Sequence, residues 1–132
     1  FLPKTGGGTT ADAISSIYYA VDNGAHILNN SWGGGGFNPH REAAIKYAKD
    51  RGVLFVAAAG NSSKNNDVSP FYPASYEVDN VVSVAASNRY DRLASFSHYG
   101  RSSVDLAAPG QDIYSTLPNN NFGLQKIHEC RG

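Results

Sequence analysis

The sequence predicts an α/β domain with a mostly parallel sheet and flanking helices. Helix-like and strand-like segments alternate through the first half of the chain, which is the pattern of βαβ units. Residues 53–58 are uniformly apolar and lie between two glycine-containing turns, which is typical of a strand buried on both faces of a parallel sheet. The second half contains short apolar runs separated by turn residues, which predicts further strands and edge hairpins.

Two amphipathic helices are predicted in the first half. The Thr9-Thr10 pair is an N-cap signal, and it precedes a helix over residues 11–23 that ends before Gly24. The apolar residues of this helix recur at intervals of three and four, and they are Ile14, Ile17, Tyr18 and Val21. The second helix begins near Pro39 and ends before Gly52, with a packing face of Ala43, Ala44, Tyr47 and Ala48.

Apolar runs predict five strands, at residues 25–31, 53–58, 81–86, 103–107 and 113–116. Two prolines make the loop at 70–75 rigid, and we expect its aromatic side chains to pack on another part of the chain. A polar turn at 88–92 is followed by a short segment at 94–97. No repeat of fixed period is present, so the chain is read as one domain.

Composition restricts the classes of partner. The 132 residues suffice for one domain with its own core, and they include 11 basic and 11 acidic side chains. Zero net charge argues against binding to nucleic acid or to an anionic membrane, since both require a basic surface. No apolar run approaches the length of a membrane span, and the single cysteine, Cys130, excludes an internal disulfide.

Small and polar residues follow three of the predicted strands, at 31–34, 58–61 and 106–110. Because carboxyl ends of neighbouring parallel strands meet at one edge of a sheet, we expect the first two clusters to share that edge. Exposed backbone there would hold an extended peptide, and the Asn61 amide would donate to a developing oxyanion. Two alternatives stay open: glycines that only form turns, and a phosphate-binding loop, which lacks the expected glycine spacing and lysine.

Five motifs in order carry a specific resemblance. Residues 29–34 read Asn-Asn-Ser-Trp-Gly-Gly, 56–61 Val-Ala-Ala-Ala-Gly-Asn, 72–75 Tyr-Pro-Ala-Ser, 94–97 Ala-Ser-Phe-Ser and 105–110 Asp-Leu-Ala-Ala-Pro-Gly. Their order and spacing resemble the middle and later catalytic domain of the subtilisin-like serine proteases (subtilases), over roughly residues 1–123. The resemblance implies a three-layer α/β fold and a serine-type endopeptidase that cleaves peptide bonds by acyl transfer.

The resemblance also implies roles for individual residues. Asn61 matches the asparagine whose side-chain amide stabilises the oxyanion of the tetrahedral intermediate. Substrate would bind between two walls, the first formed by Ser31, Trp32, Gly33 and Gly34 and the second by Ala58, Ala59 and Gly60. Small side chains in the second wall would leave room for a bulky substrate residue. Trp32 stands where bacterial members commonly have an aliphatic residue, and it would reshape the subsites or only pack.

The resemblance is incomplete at both ends. The family's aspartate and histidine motifs precede the matched region and its Gly-Thr-Ser-Met-Ala serine motif follows it, and none of the three occurs in this sequence. Residues 124–132 look unlike the family, which predicts a partial catalytic domain over 1–123, truncated at both ends, and an aberrant tail. We therefore expect the parent protein to be the protease and this chain alone to be inactive, marginally stable and prone to aggregate.

The alternative function is a non-catalytic peptide-binding module or a decayed protease fragment, in which the groove is kept without a nucleophile. No histidine stands in the family's histidine motif, so structural or solvated roles are favoured for His26, His40, His98 and His128. Asp105 resembles a position that some subtilases use in a weak cation site, but one carboxylate does not make a calcium site. No metal or cofactor is predicted in this chain, and calcium in the full-length parent stays open.

Partners and location are implied by the family alone. The resemblance implies an extended polypeptide as substrate and a monomeric full-length parent protein. It also implies a secreted or extracellular location, although the sequence contains no signal peptide.

Overall fold

A computed structural model describes residues 8–117 and 121–125 of the chain. In chain order its elements are α1 (Thr10–Asp22), β1 (Ile27–Asn30), α2 (Pro39–Asp50), β2 (Leu54–Ala58), β3 (Val81–Ser87), β4 (Leu106–Pro109), β5 (Ile113–Leu117) and β6 (Asn121–Gln125). The α/β class, with a parallel sheet and helices packed against it, is confirmed. Both predicted helices are present, four predicted strands lie where expected, the strand at 103–107 begins later, and β6 is additional.

The first four strands form one parallel sheet in the order β1-β2-β3-β4. In this register Asn30 pairs with Ala57, and Ala86 pairs with Ala108. The carboxyl ends of all four strands therefore lie at one edge of the sheet. β5 and β6 form a separate antiparallel hairpin, in agreement with the edge hairpins expected in the second half.

Side-chain caps fix the starts of both helices. The Thr9 hydroxyl accepts a hydrogen bond from the Asp12 N–H, and the Asp12 carboxylate accepts one from the Thr9 N–H. Before α2, Oδ1 of Asn38 accepts hydrogen bonds from the N–H groups of His40 and Arg41. These caps satisfy N–H groups that have no partner inside a helix, which explains why both helices begin where the sequence predicts.

Both helices pack on the same face of the sheet and enclose one core with the inward side chains of β1 and β2. The buried residues of α2 follow the i, i+3, i+4, i+7 pattern and are Arg41, Ala44, Ile45 and Ala48. The predicted face is wrong at Ala43, which is exposed, and incomplete because it omits Arg41 and Ile45. A stripe that starts at Arg41 places Ala43 on the opposite side of the helix.

β2 is buried on one face only. Phe55 and Ala57 are buried against the helices, whereas Leu54 is 38% exposed. The other face of the sheet carries no helix within residues 8–117 and 121–125, so the predicted burial on both faces is wrong for this part of the chain. These residues contribute one helical layer of the expected three-layer fold.

The strand predicted at 103–107 begins instead at Leu106. The backbone N–H groups of residues 101–103 donate to the Asp67 carboxylate at 2.7, 3.2 and 2.9 Å, and the Ser103 hydroxyl donates to it at 2.7 Å. Backbone groups bound to a carboxylate do not pair with a neighbouring strand, so these residues form a turn. The apolar pattern of the sequence does not show this contact.

The predicted tail lies mostly outside the described residues. β6 runs from Asn121 to Gln125 and crosses the predicted boundary at 123/124, whereas residues 126–132, with His128 and Cys130, are not described. The division into a domain at 1–123 and a tail at 124–132 stays a prediction. Where the structure describes the chain, no helix is long and apolar enough to cross a membrane.

Candidate functional site

A groove of about 210 Å³ opens at the carboxyl edge of the parallel sheet. Residues at or just after the ends of β1, β2 and β4 line it, among them Ser31, Ala58, Gly60, Asn61 and the segment 108–110. Because the paired strands are parallel, their carboxyl ends lie side by side at one edge of the sheet. Clusters that are distant in the sequence therefore form one surface. The two clusters expected to share an edge do so, and the third lies beside them.

Asn61 follows Gly60 in the bend after β2 and lines the groove. Its side chain is exposed and makes no hydrogen bond with any described residue. An asparagine that capped its own turn would have its side chain engaged, whereas the Asn61 amide is available to a ligand. This availability is what a donor to a developing oxyanion requires.

Of the predicted first wall, only Ser31 lines this groove, and the aromatic loop at 70–75 holds the segment that follows it. The Gly34 N–H donates to the Tyr72 carbonyl oxygen at 2.8 Å. A Cβ on Gly33 would lie 2.4 Å from Cε1 of Phe71 and 2.9 Å from the same carbonyl oxygen, so no side chain fits there. A Cβ on Gly36 would meet nothing within 4 Å. The loop that was expected to need a packing surface therefore finds it on the glycine-rich segment.

Trp32 is half buried and packs against the hydrophobic core. Its Nε1 donates to Oδ1 of Asn30 at 3.1 Å, and the guanidinium carbon of Arg41 lies 5.9 Å from its ring centroid. Arg41 is only 4% exposed, and it donates to the Tyr76 hydroxyl and the Gly36 carbonyl oxygen, both at 2.9 Å. Trp32 is therefore fixed by packing, and its effect on substrate subsites stays a prediction.

Two buried polar residues, Asn66 and His98, bind the carbonyl groups of the second wall, and each residue is 2% exposed. Nδ2 of Asn66 donates to the Ala59 carbonyl oxygen at 2.9 Å, and the backbone N–H of His98 donates to the Gly60 carbonyl oxygen at 2.8 Å. Nδ1 of His98 lies 2.9 Å from Oδ1 of Asn66. Ala59 and Gly60 are buried, and Ala58 is half buried.

Two aromatic rings connect the walls. The His98 ring lies against Gly60, where an added Cβ would be 2.4 Å from Nδ1. The same ring packs edge-to-face with Phe71, with 5.0 Å between ring centroids. Since Phe71 also fills the space beside Gly33, packing is continuous from one wall to the other. The two rings therefore set the separation of the walls.

Sequence analysis did not identify Asn66 and left a structural or a solvated role open for His98. His98 is buried, so the structural role is the one that applies to it, whereas His26 and His40 are exposed. The local signal is weak because Asn66 lies in a polar segment and its partner His98 is 32 positions away. Only the contact between the two shows that either is buried.

The sequence model described as Peptidase_S8, Subtilase family, matches residues 2–128. This chain belongs to the subtilase family. The thermophilic serine proteinase of Bacillus sp. (strain AK1) is 46% identical to this subtilase chain over 121 residues, which are 92% of this chain and 29% of that protein. Thermitase of Thermoactinomyces vulgaris is 41% identical, over 92% of this chain and 41% of its own length.

Solved structures of proteases show the same fold. The crystal structure of a cold adapted subtilisin-like serine proteinase matches this subtilase chain with a TM-score of 0.81 and 34% identity, over 93% of this chain and 44% of that one. The prenylagaramide maturation protease PagA matches with a TM-score of 0.77 and 30% identity, over 88% and 42%. The chain thus spans less than half the length of each of these relatives.

A larger cavity, of about 600 Å³, lies in the subtilase chain near the starts of β3 and β4, and its lining includes Asp67, Asp79 and Asp105. Each carboxylate is engaged: Asp67 with backbone N–H groups, Asp79 with Lys49 at 2.5 Å, and Asp105 with the Ser83 N–H at 2.7 Å. In the described part of the chain, no three potential ligands are placed to hold a metal ion. We assign no metal to Asp105.

Proposed function

We propose that this chain is part of a serine endopeptidase, in which it supplies the oxyanion donor Asn61 and the two walls that hold the substrate. The exposed amide of Asn61, which lines the groove with no described hydrogen-bond partner, carries this proposal. A neutral amide in this position donates to the oxygen of a tetrahedral intermediate at no cost in breaking another bond. Membership of the subtilase family supports the same role.

The groove serves acyl transfer in two ways. Ser31 and residues 58–60 line the groove, and an extended polypeptide bound along them would place its scissile bond beside Asn61. As a nucleophile attacks, the carbonyl oxygen gains negative charge, and the Asn61 amide stabilises it.

The nucleophilic serine and its histidine and aspartate belong, in this proposal, to other segments of a longer protein, which we call the complete protease. The coverage of less than half of each relative supports this assignment. The chain alone then lacks the attacking group and does not hydrolyse peptides. We further propose that the complete protease is monomeric and secreted or extracellular.

Replacement of Asn61 by alanine in the complete protease tests the proposal. We expect kcat to fall by about 10²–10³-fold, or roughly 2.7–4 kcal/mol, with KM changed less than about threefold. That magnitude was measured on a subtilisin, a member of this family. Ser62→Ala is the matched control, because Ser62 is the exposed neighbour of Asn61 and its hydroxyl has no described partner.

A rise in KM with unchanged kcat would show that Asn61 binds the substrate and its transition state equally, which contradicts the proposed role. A complete protein that binds an extended peptide and leaves it intact would replace the protease by the peptide-binding alternative. Both results follow from one set of steady-state assays combined with calorimetric binding.

A further inference from the structure

Both carbonyl groups that precede Asn61 are bound by buried groups. The Ala59 carbonyl oxygen accepts from the side chain of Asn66, and the Gly60 carbonyl oxygen accepts from the backbone of His98. Rotation of either peptide would break one of these hydrogen bonds and leave a buried carbonyl without a partner, which is unfavourable. The direction of the Asn61 side chain therefore depends on Asn66 and His98.

The roles of donor and acceptor in this network follow from the Ala59 carbonyl. Since that oxygen only accepts, the atom of Asn66 that faces it is the NH₂ group, and Oδ1 faces His98. Oδ1 also only accepts, so Nδ1 of His98 carries a hydrogen. Nε2 is buried and has no hydrogen-bond partner in the described part of the chain. A proton there would be buried without an acceptor, which disfavours the imidazolium and leaves the neutral ring protonated at Nδ1.

Steric contact adds to these hydrogen bonds. Gly60 has a φ of +123°, and an added Cβ would lie 2.4–2.7 Å from three ring atoms of His98. Phe71 packs edge-to-face with the same ring at 5.0 Å. Because the imidazole is held between Gly60 and Phe71, a displaced ring would displace the Gly60 peptide.

The segment beyond Asn61 is also anchored. The Ser63 N–H donates to the Phe96 carbonyl oxygen at 2.8 Å, and the Tyr99 N–H donates to the Lys64 carbonyl oxygen at 3.0 Å. A third bond, at 2.7 Å, joins the Asn66 N–H to the Tyr99 carbonyl oxygen. The turn that carries Asn61 is therefore held on both sides by residues 96–99.

We propose that Asn66 and His98 are positioning residues for the oxyanion donor, which hold the Ala59–Gly60 and Gly60–Asn61 peptides so that the Asn61 amide stays directed into the groove. This inference rests on the proposed function of Asn61 and extends it to two residues that do not line the groove. Asn66 and His98 act on the rate through Asn61, so their loss lowers kcat more than it raises KM.

Asn66→Asp is the first test, because it keeps the shape of the side chain and replaces the donor to Ala59 by a carboxylate oxygen, and the control below introduces the same negative charge elsewhere. In the complete protease we expect kcat to fall about 10- to 100-fold with KM changed less than about threefold. Asn80→Asp is the matched control, since Asn80 also donates to two backbone carbonyl oxygens, those of Ile45 and Val53, at the opposite edge of the sheet. The control is expected to weaken resistance to urea while kcat stays within about twofold.

A double-variant cycle separates positioning from a general structural role. If Asn66 acts through Asn61, then Asn66→Asp changes kcat by less than about twofold once Asn61 is alanine. An equal loss in both backgrounds would overturn the inference. His98→Asn keeps a donor near the position of Nδ1 and is expected to retain most of kcat, whereas His98→Leu is expected to lose as much as Asn66→Asp. Equal losses in the two His98 variants would contradict the network.

Nuclear magnetic resonance tests the inference without catalysis. ¹⁵N-labelled histidine in the complete protein is expected to show His98 neutral and protonated at Nδ1. The side-chain amide signals of Asn61 are expected to shift in Asn66→Asp and to stay in place in Asn80→Asp. If the complete protein cleaves no peptide, the proposed function fails. These signals still test whether Asn66 positions the Asn61 side chain. Asn61 signals that do not move in Asn66→Asp would overturn the positioning role whether or not the protein is active.

Discussion

The two walls of the groove are held in different ways. The first wall, residues 31–34, depends on aromatic packing, because Phe71 fills the space beside Gly33 and one backbone hydrogen bond joins Gly34 to the same loop. The second wall, residues 58–60, depends on buried hydrogen bonds from Asn66 and His98. Packing tolerates small displacements, whereas a displacement that breaks a buried hydrogen bond leaves a polar group without a partner, which is costly.

Glycine is consequently required in the two walls for different physical reasons. Gly60 combines a φ of +123° with direct contact to the His98 ring, so both its backbone and its lack of a side chain are required. Gly33 is restricted only by the Phe71 ring and the Tyr72 carbonyl oxygen, and Gly36 is restricted by nothing within 4 Å. A glycine run that looks uniform in the sequence thus contains three kinds of position: Gly33 excludes a side chain by contact, and Gly36 accepts one. Between them, Gly34 and Gly35 have a φ of +134° and +69°, which L side chains rarely adopt.

The largest effect is expected for Gly60→Ala. Backbone strain of about 1–3 kcal/mol adds to overpacking against His98 of about 1–3 kcal/mol, so the free energy of unfolding should fall by roughly 2–6 kcal/mol. The measurement is urea unfolding of the complete protease after covalent inhibition by a sulfonyl fluoride. An unchanged unfolding midpoint would mean that the His98 ring moves aside freely, and the two walls would then not differ in rigidity.

A smaller effect is expected for Gly33→Ala, where only packing is disturbed. The free energy of unfolding should fall by about 1–3 kcal/mol, and Gly36→Ala, its control in the same segment, should change it by no more than about 0.5 kcal/mol. Phe71→Leu in the Gly33→Ala background removes the ring atoms that clash and should recover part of the loss. If Gly33→Ala and Gly36→Ala were equally destabilising, chain flexibility rather than Phe71 would explain both.

The same contrast between local and distant contacts decides what the sequence predicts. The N-cap at Thr9, the proline at Pro39 and the apolar run at 53–58 depend on neighbours within a few positions, so the elements that they mark are found where expected. The strand-end clusters at 31–34 and 58–61 follow from the parallel register, which a βαβ pattern already indicates. The family motifs then single out Asn61 within them.

Distant contacts are what the sequence does not show. The late start of β4 depends on the Asp67 carboxylate, which binds N–H groups more than 30 positions away. The burial of Asn66 and His98 depends on each side chain satisfying the other. The exposed face of β2 depends on which face of the sheet the helices cover, and hydrophobicity along one strand carries no information about that.

The smallest effect is expected from acid, which should act first on the hydrogen bonds that hold the second wall. Burial, and then the positive charge of Lys64, hold the pKa of His98 below its usual value of 6.5. The unfolded chain therefore binds a proton more readily than the folded protein. The stability that neutral His98 contributes is complete above about pH 6.5, and it declines as the pH falls toward the folded-state pKa, by at most about 1.4 kcal/mol per pH unit.

Asp67 titrates in a separate window. The hydrogen bond from the Ser103 hydroxyl, aided by those from backbone N–H groups, lowers the pKa of its carboxyl group, so its contribution is lost only below about pH 4. The first wall is held by aromatic packing and a backbone hydrogen bond, neither of which titrates.

His98→Asn separates these contributions, because it keeps a donor toward Asn66 and removes the titrating group. Urea unfolding midpoints of the inhibited complete protease, measured from pH 4 to pH 8, are expected to fall below about pH 6.5 in the wild type and to stay level in His98→Asn until the carboxylates titrate. Superimposable curves for the two proteins would show that a proton on His98 does not disturb the second wall. Among the described residues, Nε2 of His98 has no acceptor for a hydrogen, so such a result would show that a second proton on the ring costs nothing in the folded protein and that the second wall is no more sensitive to acid than the first.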